Sequence, residues 1–354
     1  MSTNSIRSLS IASSRLAPPS SEGSVLPHSK GIRFAKPRRA RVLSLPPQWL
    51  VLGSDGPVVD DAVSKVEKAL QSASPLLTIT TLTHGSCSTE DLSKVWSGVI
   101  VTEPSELTEP QSRQLIQLRL QGIPICDLPG FYEAFYLKLP SAYLTASWFV
   151  FNFNLALVSN GLVQHLKRLV DLLASVSLLV ATAPILFIAA TLIKLDSPGS
   201  IFYSQIRTGL NQVPFRVYKF RSMREDAETV GAQWAQEGDS RITRVGRWMR
   251  LTRIDELPQL WNVIRGDMSL IGPRPERPEF DAQLAQTIPH YQLRYCVKPG
   301  ITGWAQVMYP YGASVEDAYE KLAYDLYYIK NYSVWLDVAI AVRTVRVILQ
   351  GKGR

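Results

Sequence analysis

The sequence predicts an α/β protein in which a small domain of alternating strands and helices precedes a larger α+β domain held at a membrane. Three observations predict it. Short apolar runs alternate with helix-like ones from Trp49 to about residue 150, the pattern of a parallel sheet flanked by helices. Leu172 to Ile193 then carries no charged residue, which makes about 33 Å of helix at about 1.5 Å per residue, enough to reach across a bilayer. Beyond it the chain is again soluble in character, basic and dense in short motifs.

A chain of 354 residues that is 46% apolar and 19% charged has the balance of a folded protein and the length for two cores. Its net charge of +8 and pI near 9.3 favour polyanionic partners. The cations form no stripe interleaved with aromatics, and no helix-turn-helix or zinc-finger spacing is present. Lipid head groups or phosphorylated substrates are therefore expected, and no nucleic acid. Cys87, Cys126 and Cys296 are odd in number and far apart, as expected of reduced thiols in a cytosolic setting rather than a disulfide framework. His28, His84, His165 and His290 are equally scattered, and no zinc-type cluster is readable.

Residues 1–46 are rich in Ser, Pro and Arg without an apolar period, and read as a disordered basic tail lacking the apolar core of a secretory signal. The small domain is expected over 47–150. "WLVLG" (49–53), "LLTITTL" (76–82), "GVIVT" (98–102) and "IPICDL" read as strands. "DDAVSKVEKALQSA" (60–73) and "PQSRQLIQLRLQG" (110–122) read as helices, the second ending at Gly122. Gly53 and Gly56 follow the first strand, but the full G-x-G-x-x-G fingerprint is absent, so a degenerate nucleotide fold that binds no dinucleotide is expected.

The apolar run has Lys167 and Arg168 before it and Lys194 and Arg207 after it, which gives the positive-inside rule no direction. Pro184 lies in its middle and removes a helix hydrogen bond. That position suits a re-entrant hairpin over about 168–195, broken at Pro184, with both flanks in the cytoplasm. A single crossing with a tolerated proline kink is the alternative.

Downstream, "PFRVYKFRSM" reads as a strand whose alternation puts Arg216, Tyr218 and Phe220 on one side and Lys219 and Arg221 on the other. "TRIDELPQLWNVIRGDMSLIGPRPE" (252–276) sets Asp255 beside Glu256 among arginines. Pro258 suits the first turn of a helix and Gly266 its end, so the two carboxylates fall just before a helix N-terminus, where the dipole, Arg250 and Arg253 favour ionisation. An ionised carboxylate can attack phosphorus and a neighbouring one can hold a divalent metal; alternatively the pair is only N-terminal helix charge. Pro273 and Pro275 fix the backbone around Arg274, a forked cation suited to phosphate.

In order, "KRLVDLLAS", "SPGSIFYSQIRTG", "VYKFRSM", "LTRIDELPQLWNVIRGDMSLIGPRPE", "RYCVKPGITGWAQV" and "YDLYYIKNYSVWLDVAI" closely resemble the bacterial sugar transferases, the monotopic phosphoglycosyl transferase family, over about residues 165 to 353. The resemblance implies transfer of a sugar 1-phosphate from a UDP-sugar to polyprenyl (undecaprenyl) phosphate, with release of UMP, at the start of exopolysaccharide or related glycoconjugate synthesis. It implies a catalytic domain over 165–354 on the cytoplasmic face of the inner membrane, monotopic in the bilayer. The family's catalytic pair falls on Asp255 and Glu256, and its Mg²⁺ dependence carries over through Glu256. Its cationic positions match Arg250 and Arg274, its proline element Pro273, Arg274 and Pro275, and its basic strand Lys219 to Met223, with Arg221. Some members carry Ser-Pro at the membrane break, where this chain has Ala183 and Pro184. Residues 47–150 look like the nucleotide-fold domain of larger members, without their preceding spanning helices, so an abbreviated version is expected. The reading leaves room for a homo-oligomer. It leaves the sugar undetermined, with a membrane-attached phosphohydrolase or an export scaffold as the rival functions.

Two C-terminal segments stay open at this level. "VKPGITG" (297–303) either shapes a substrate pocket or makes a Pro-Gly turn. After Ser333, Val338, Ala341, Val342, Val345 and Leu349 recur at helical spacing with Arg343, Arg346 and Lys352 nearby. That pattern suits either a helix in the lipid interface or one packed on the core.

Overall fold

The computed structural model describes residues 48–53, 78–153, 156–224, 239–309 and 314–350, with residues 64, 227 and 312. The expected tail over 1–46, all but Ser64 of the helix expected over 60–73, Gly56 and Lys352 lie outside the described residues. The chain divides into two compact units, Met1–Tyr136 and Leu137–Arg354.

In the first unit β1 (Gln48–Gly53), β2 (Thr78–Thr83), β3 (Gly98–Val101) and β4 (Ile125–Asp127) form a sheet in the order β2-β1-β3-β4. All its pairings are parallel. Such strands need cover on their faces, which is why β1 and β3 read as unbroken apolar runs. Leu50, Leu52, Val99 and Val101 pack with Leu92, Trp96, Leu115 and Leu118. The last two come from α1 (Glu109–Leu120), which begins at a Thr108–Gln111 capping box and is followed by Gly122 at φ +91.

Residues 137–150, expected in the small domain, belong to the second unit. Leu139 N donates to Ala323 O at 2.8 Å, and Leu139 and Leu144 join that unit's core.

The second unit opens into α2 (Gly161–Asp196), helical throughout with Pro184 inside it. It is long and apolar enough to cross a membrane. Its buried residues lie towards its two ends: Asp171 and Ser175, then Ala189 and Ile193. Asp171 Oδ1 accepts from Leu270 N at 3.1 Å, and Ala189 and Ile193 pack on Phe220 and Met249.

An antiparallel hairpin follows, β5 (Phe202–Thr208) paired with β6 (Pro214–Phe220) over all seven positions. Next come α3 (Arg244–Thr252), a 3₁₀ turn at Ile254–Glu256 and α4 (Gln259–Arg265). As the sequence predicts, Pro258 is the N-cap of α4 and Gly266, at φ +101, its C-cap. Arg168 of α2 donates to the last carbonyls of α4, Val263 O at 2.5 Å and Ile264 O at 2.7 Å, where a cation also complements the helix dipole.

β7 (Ser269–Ile271) pairs in parallel with β8 (Gly300–Thr302). Behind them lies the main core, with Tyr291, Tyr295, Trp304, Leu322, Leu326 and Tyr328 among its residues. α5 (Val315–Lys330) and α6 (Val334–Leu349) close the chain. α6 packs one face on the core and leaves another exposed. Ile340 is buried in the core, whereas Trp335, Val338, Val342, Val345 and Leu349 form an exposed apolar stripe at i, i+3, i+7 spacing.

Candidate active site

Asp255 and Glu256 lie in the 3₁₀ turn ahead of α4, and both are buried. The residue before the turn, Arg253, takes a left-handed conformation at φ 58 that ends α3 and starts the turn. A side chain in that region carries strain of about 1–2 kcal/mol. The strained joint lets the chain reverse between two helices and bury two consecutive carboxylates.

Buried carboxylates need compensation, and Glu256 receives it from three elements. Lys219 Nζ of β6 donates to Oε1 at 3.0 Å. Arg274 Nη2 donates to the same oxygen at 2.7 Å and Nη1 to Oε2 at 3.4 Å. Arg253 Nη1 stands 3.7 Å from Oε2. Against the upward push of burial, Arg274, Lys219 and Arg253 hold Glu256 well below the usual carboxylate range.

Asp255 differs from the expectation that its neighbours keep it readily ionised. Burial and the adjacent Glu256 charge push it up to about 6, despite Lys219, Arg250 and Arg253. Its Oδ1 is buried without a hydrogen-bond partner. The dipole and arginine argument omitted desolvation, which is the largest influence here. The pair is thus split into one carboxylate saturated by cations and one with an uncommitted oxygen.

Beside it lies a small cleft lined by Arg207, Val217, Lys219, Gln259, Arg274 and Pro275. Three of these are cations, and Gln259 Nε2 is buried without a partner. A cleft lined by three cations, two of them bonded to Glu256, suits a polyphosphate group.

The loop carrying Arg274 is fastened from behind. Gly272 N donates to Thr302 O at 2.9 Å, and Gly300 N to Pro273 O at 2.8 Å. A Cβ on Gly300 would lie 2.1 Å from Gly272 N, so the strand fits only as glycine. Hence the "VKPGITG" segment acts as a backbone clasp on this loop. Arg294 completes it: Nη2 donates to Arg274 O at 2.9 Å and to Asp325 Oδ2 at 3.0 Å, and Nη1 to Tyr291 Oη at 2.7 Å.

Of the residues singled out from sequence, the structure therefore brings together Asp255, Glu256, Lys219, Arg274 and Pro275. Pro273 shapes the loop. Arg250 donates to Ser222 Oγ at 3.0 Å and acts on Asp255 electrostatically. Arg221 is committed elsewhere: it donates to Ser197 O at 2.8 Å and Pro198 O at 2.5 Å, tying β6 to the end of α2. Pro184 is inside α2. Arg207, Gln259 and Arg294 were not singled out for the site. Hairpin register would have found Arg207, since Tyr203 pairs with Lys219 and residues 203 and 207 share a face.

The sequence profile of the bacterial sugar transferase family matches residues 162–351, just over half of the chain. A UDP-N-acetylgalactosamine-undecaprenyl-phosphate N-acetylgalactosaminephosphotransferase of Aeromonas hydrophila is 50% identical over 198 residues, 56% of this chain and 47% of that protein. A UDP-glucose:undecaprenyl-phosphate glucose-1-phosphate transferase of Caulobacter vibrioides is 46% identical over 187 residues, 52% of this chain and 69% of that protein. An exopolysaccharide production protein, PSS, of Rhizobium leguminosarum bv. phaseoli is 42% identical over 195 residues, 53% of this chain and 98% of that protein. The chain thus spans about half the length of the Aeromonas relative. With motif order, site geometry and profile in agreement, the chain belongs to the bacterial sugar transferase family.

Proposed function

We propose that the protein transfers a sugar 1-phosphate from a UDP-sugar to polyprenyl phosphate at the cytoplasmic face of the membrane. The observation that carries this reading is the cleft lined by Arg207, Lys219 and Arg274, two of whose cations bond to Glu256, the neighbour of Asp255 with its unpartnered Oδ1. A pyrophosphate repels a carboxylate nucleophile until its oxygens are neutralised. Arg274 and Lys219, which bond to Glu256, can turn onto those oxygens. Asp255 then attacks the sugar-bearing phosphorus. The bond from that phosphorus to the bridging oxygen breaks, and UMP leaves with the electron pair. A phosphate oxygen of the polyprenyl acceptor next attacks the same phosphorus and expels the Asp255 carboxylate, which regenerates the enzyme.

The adjacent carboxylates, with Asp255 Oδ1 buried and unpartnered, are hard oxygen donors of the kind Mg²⁺ prefers. Glu256 is the residue proposed to hold it. When bound, the ion supplies positive charge that neutralises the pyrophosphate.

Purified protein given a panel of UDP-sugars and undecaprenyl phosphate is expected to release UMP and form a sugar-phospholipid, with all turnover lost in chelator. Asp255→Asn keeps the size of the side chain and is expected to lower turnover on the order of a thousandfold or more. Free sugar phosphate as the product instead of the lipid would make the enzyme a hydrolase.

Because Asp255 must be ionised to attack, and its carboxyl is raised to about 6, kcat/KM is expected to fall as pH drops through about 6. A profile that stays flat down to about pH 5, as an ordinary aspartate would give, contradicts this role.

α2 is proposed to enter and leave one leaflet, bending at Pro184. In support, residues towards both of its ends pack within the same unit, Asp171 at Leu270 N and Ile193 at Phe220 and Met249. About 33 Å of helix separates those contacts along its axis, and a straight crossing would carry one set away from the domain. The exposed stripe of α6 supports a lipid surface on the same protein. Cysteines engineered near positions 160 and 200 are expected to resist a membrane-impermeant reagent added to intact cells. Labelling of only one of them means a crossing.

A further inference from the structure

Sequence spacing suggests no metal cluster around the histidines, yet the fold of the first unit brings His84 together with two glutamates. His84 directly follows β2, and Glu103 lies two residues past the end of β3. Strand order places β1 between these two strands. β1 ends at Gly53, where a Cβ would lie 2.3 Å from Thr102 Oγ1, so the groups that follow β2 and β3 close over a position with no side chain. Pro104 starts a single 3₁₀ turn that ends at Glu106. One ligand atom each from His84, Glu103 and Glu106 lies within 4.8 Å of the others.

The imidazole supplies a second, independent observation. His84 is only 9% exposed, and neither ring nitrogen has a hydrogen-bond partner. A buried polar ring is normally satisfied, whereas this one has both nitrogens unpartnered with a ring nitrogen within 4.8 Å of a carboxylate oxygen of Glu103 and of Glu106. Its backbone is pinned on both sides. His84 N donates to Gly53 O at 3.0 Å, and buried Gln111 of α1 donates to His84 O at 2.9 Å and to Cys87 O at 3.0 Å. The backbone that carries the ring is therefore held by contacts that do not use its nitrogens.

We propose that His84, Glu103 and Glu106 bind a Zn²⁺ ion at the carboxyl edge of this sheet. Ligands at about 2.1 Å from a tetrahedral zinc stand about 3.4 Å from one another, so the observed spacing closes with small side-chain movements. One imidazole and two carboxylates suit zinc, whereas Mg²⁺ and Ca²⁺ favour sites made of oxygen alone. Three protein ligands leave a fourth position for water or a ligand group. The edge is also where open α/β sheets bind ligands, at the point where strand order reverses, here between β1 and β3. Zinc would tie the segments after β2 and β3 together and stabilise the first unit. The site stands independently of the transferase chemistry.

The test is Zn²⁺ binding to the full-length protein in detergent, stripped by chelator and measured by equilibrium dialysis, with Co²⁺ absorption as a spectroscopic probe. Glu106 is exposed, so Glu106→Gln spares the fold; His84→Gln removes the imidazole. Because the carboxylates of the second unit can also take up metal, each variant is compared with wild type. The expected result is that wild type holds one Zn²⁺ equivalent whose binding is weakened at least tenfold in Glu106→Gln and in His84→Gln, with loss of the corresponding Co²⁺ bands, while any metal on the second unit is unchanged between them. Equal stoichiometry and affinity in wild type and Glu106→Gln overturn the proposal, as does a wild type that binds no Zn²⁺.

Discussion

The arrangement of the second unit follows from the cost of burying two consecutive carboxylates. One unpaired charge in a low-dielectric interior is destabilising by several kcal/mol, and Asp255 and Glu256 are both buried. Their compensation is gathered from separate parts of the chain: Lys219 on a hairpin strand, Arg253 at a strained helix end and Arg274 on a proline-fixed loop. Each is held by further contacts, such as the glycine clasp and buried Arg294 behind Arg274. The cations favour one carboxylate over the other. Glu256 is pulled well below the usual range, while Asp255 is raised to about 6, and such divergence within a pair marks a division of roles.

The apolar helix is bonded to the same machinery. Arg168 caps the helix that follows the carboxylate pair, Asp171 accepts from the strand leading to the Arg274 loop, and Lys167 pairs with Asp337 of α6 at 2.8 Å. Arg221, at the end of the strand that carries Lys219, reaches back to the far end of α2. α2 is therefore bonded directly to the elements that carry Lys219, Arg274 and Asp255. These bonds give a physical reason for the polar residues at the head of an otherwise apolar segment.

Much of this was legible in the sequence because it rests on local rules. Four parallel strands were visible as apolar runs, and Pro258 and Gly266 bounded a helix whose caps the structure places at those residues. Asp255, Glu256, Lys219 and Arg274 could be named from motif alone, and they meet. What could not be read depends on burial or on distant pairing. Desolvation raises Asp255 against its cations, and no local pattern encodes it. Arg221 sits in the same motif as Lys219 but caps a helix end, because the strand stops at Phe220. Arg294 becomes informative only when its contact with Arg274 O is known. His84 and Glu103 come together only once β1 separates their strands.

The central claim is that Asp255 carries the phosphosugar between two half-reactions, and trapping that adduct tests it directly. Protein incubated with its UDP-sugar but no acceptor, quenched, digested and examined by mass spectrometry should carry one sugar phosphate on the peptide containing Asp255. The modification should disappear when polyprenyl phosphate is added. A sugar phosphate on another residue, or UMP release that requires the acceptor and leaves no adduct, would contradict it.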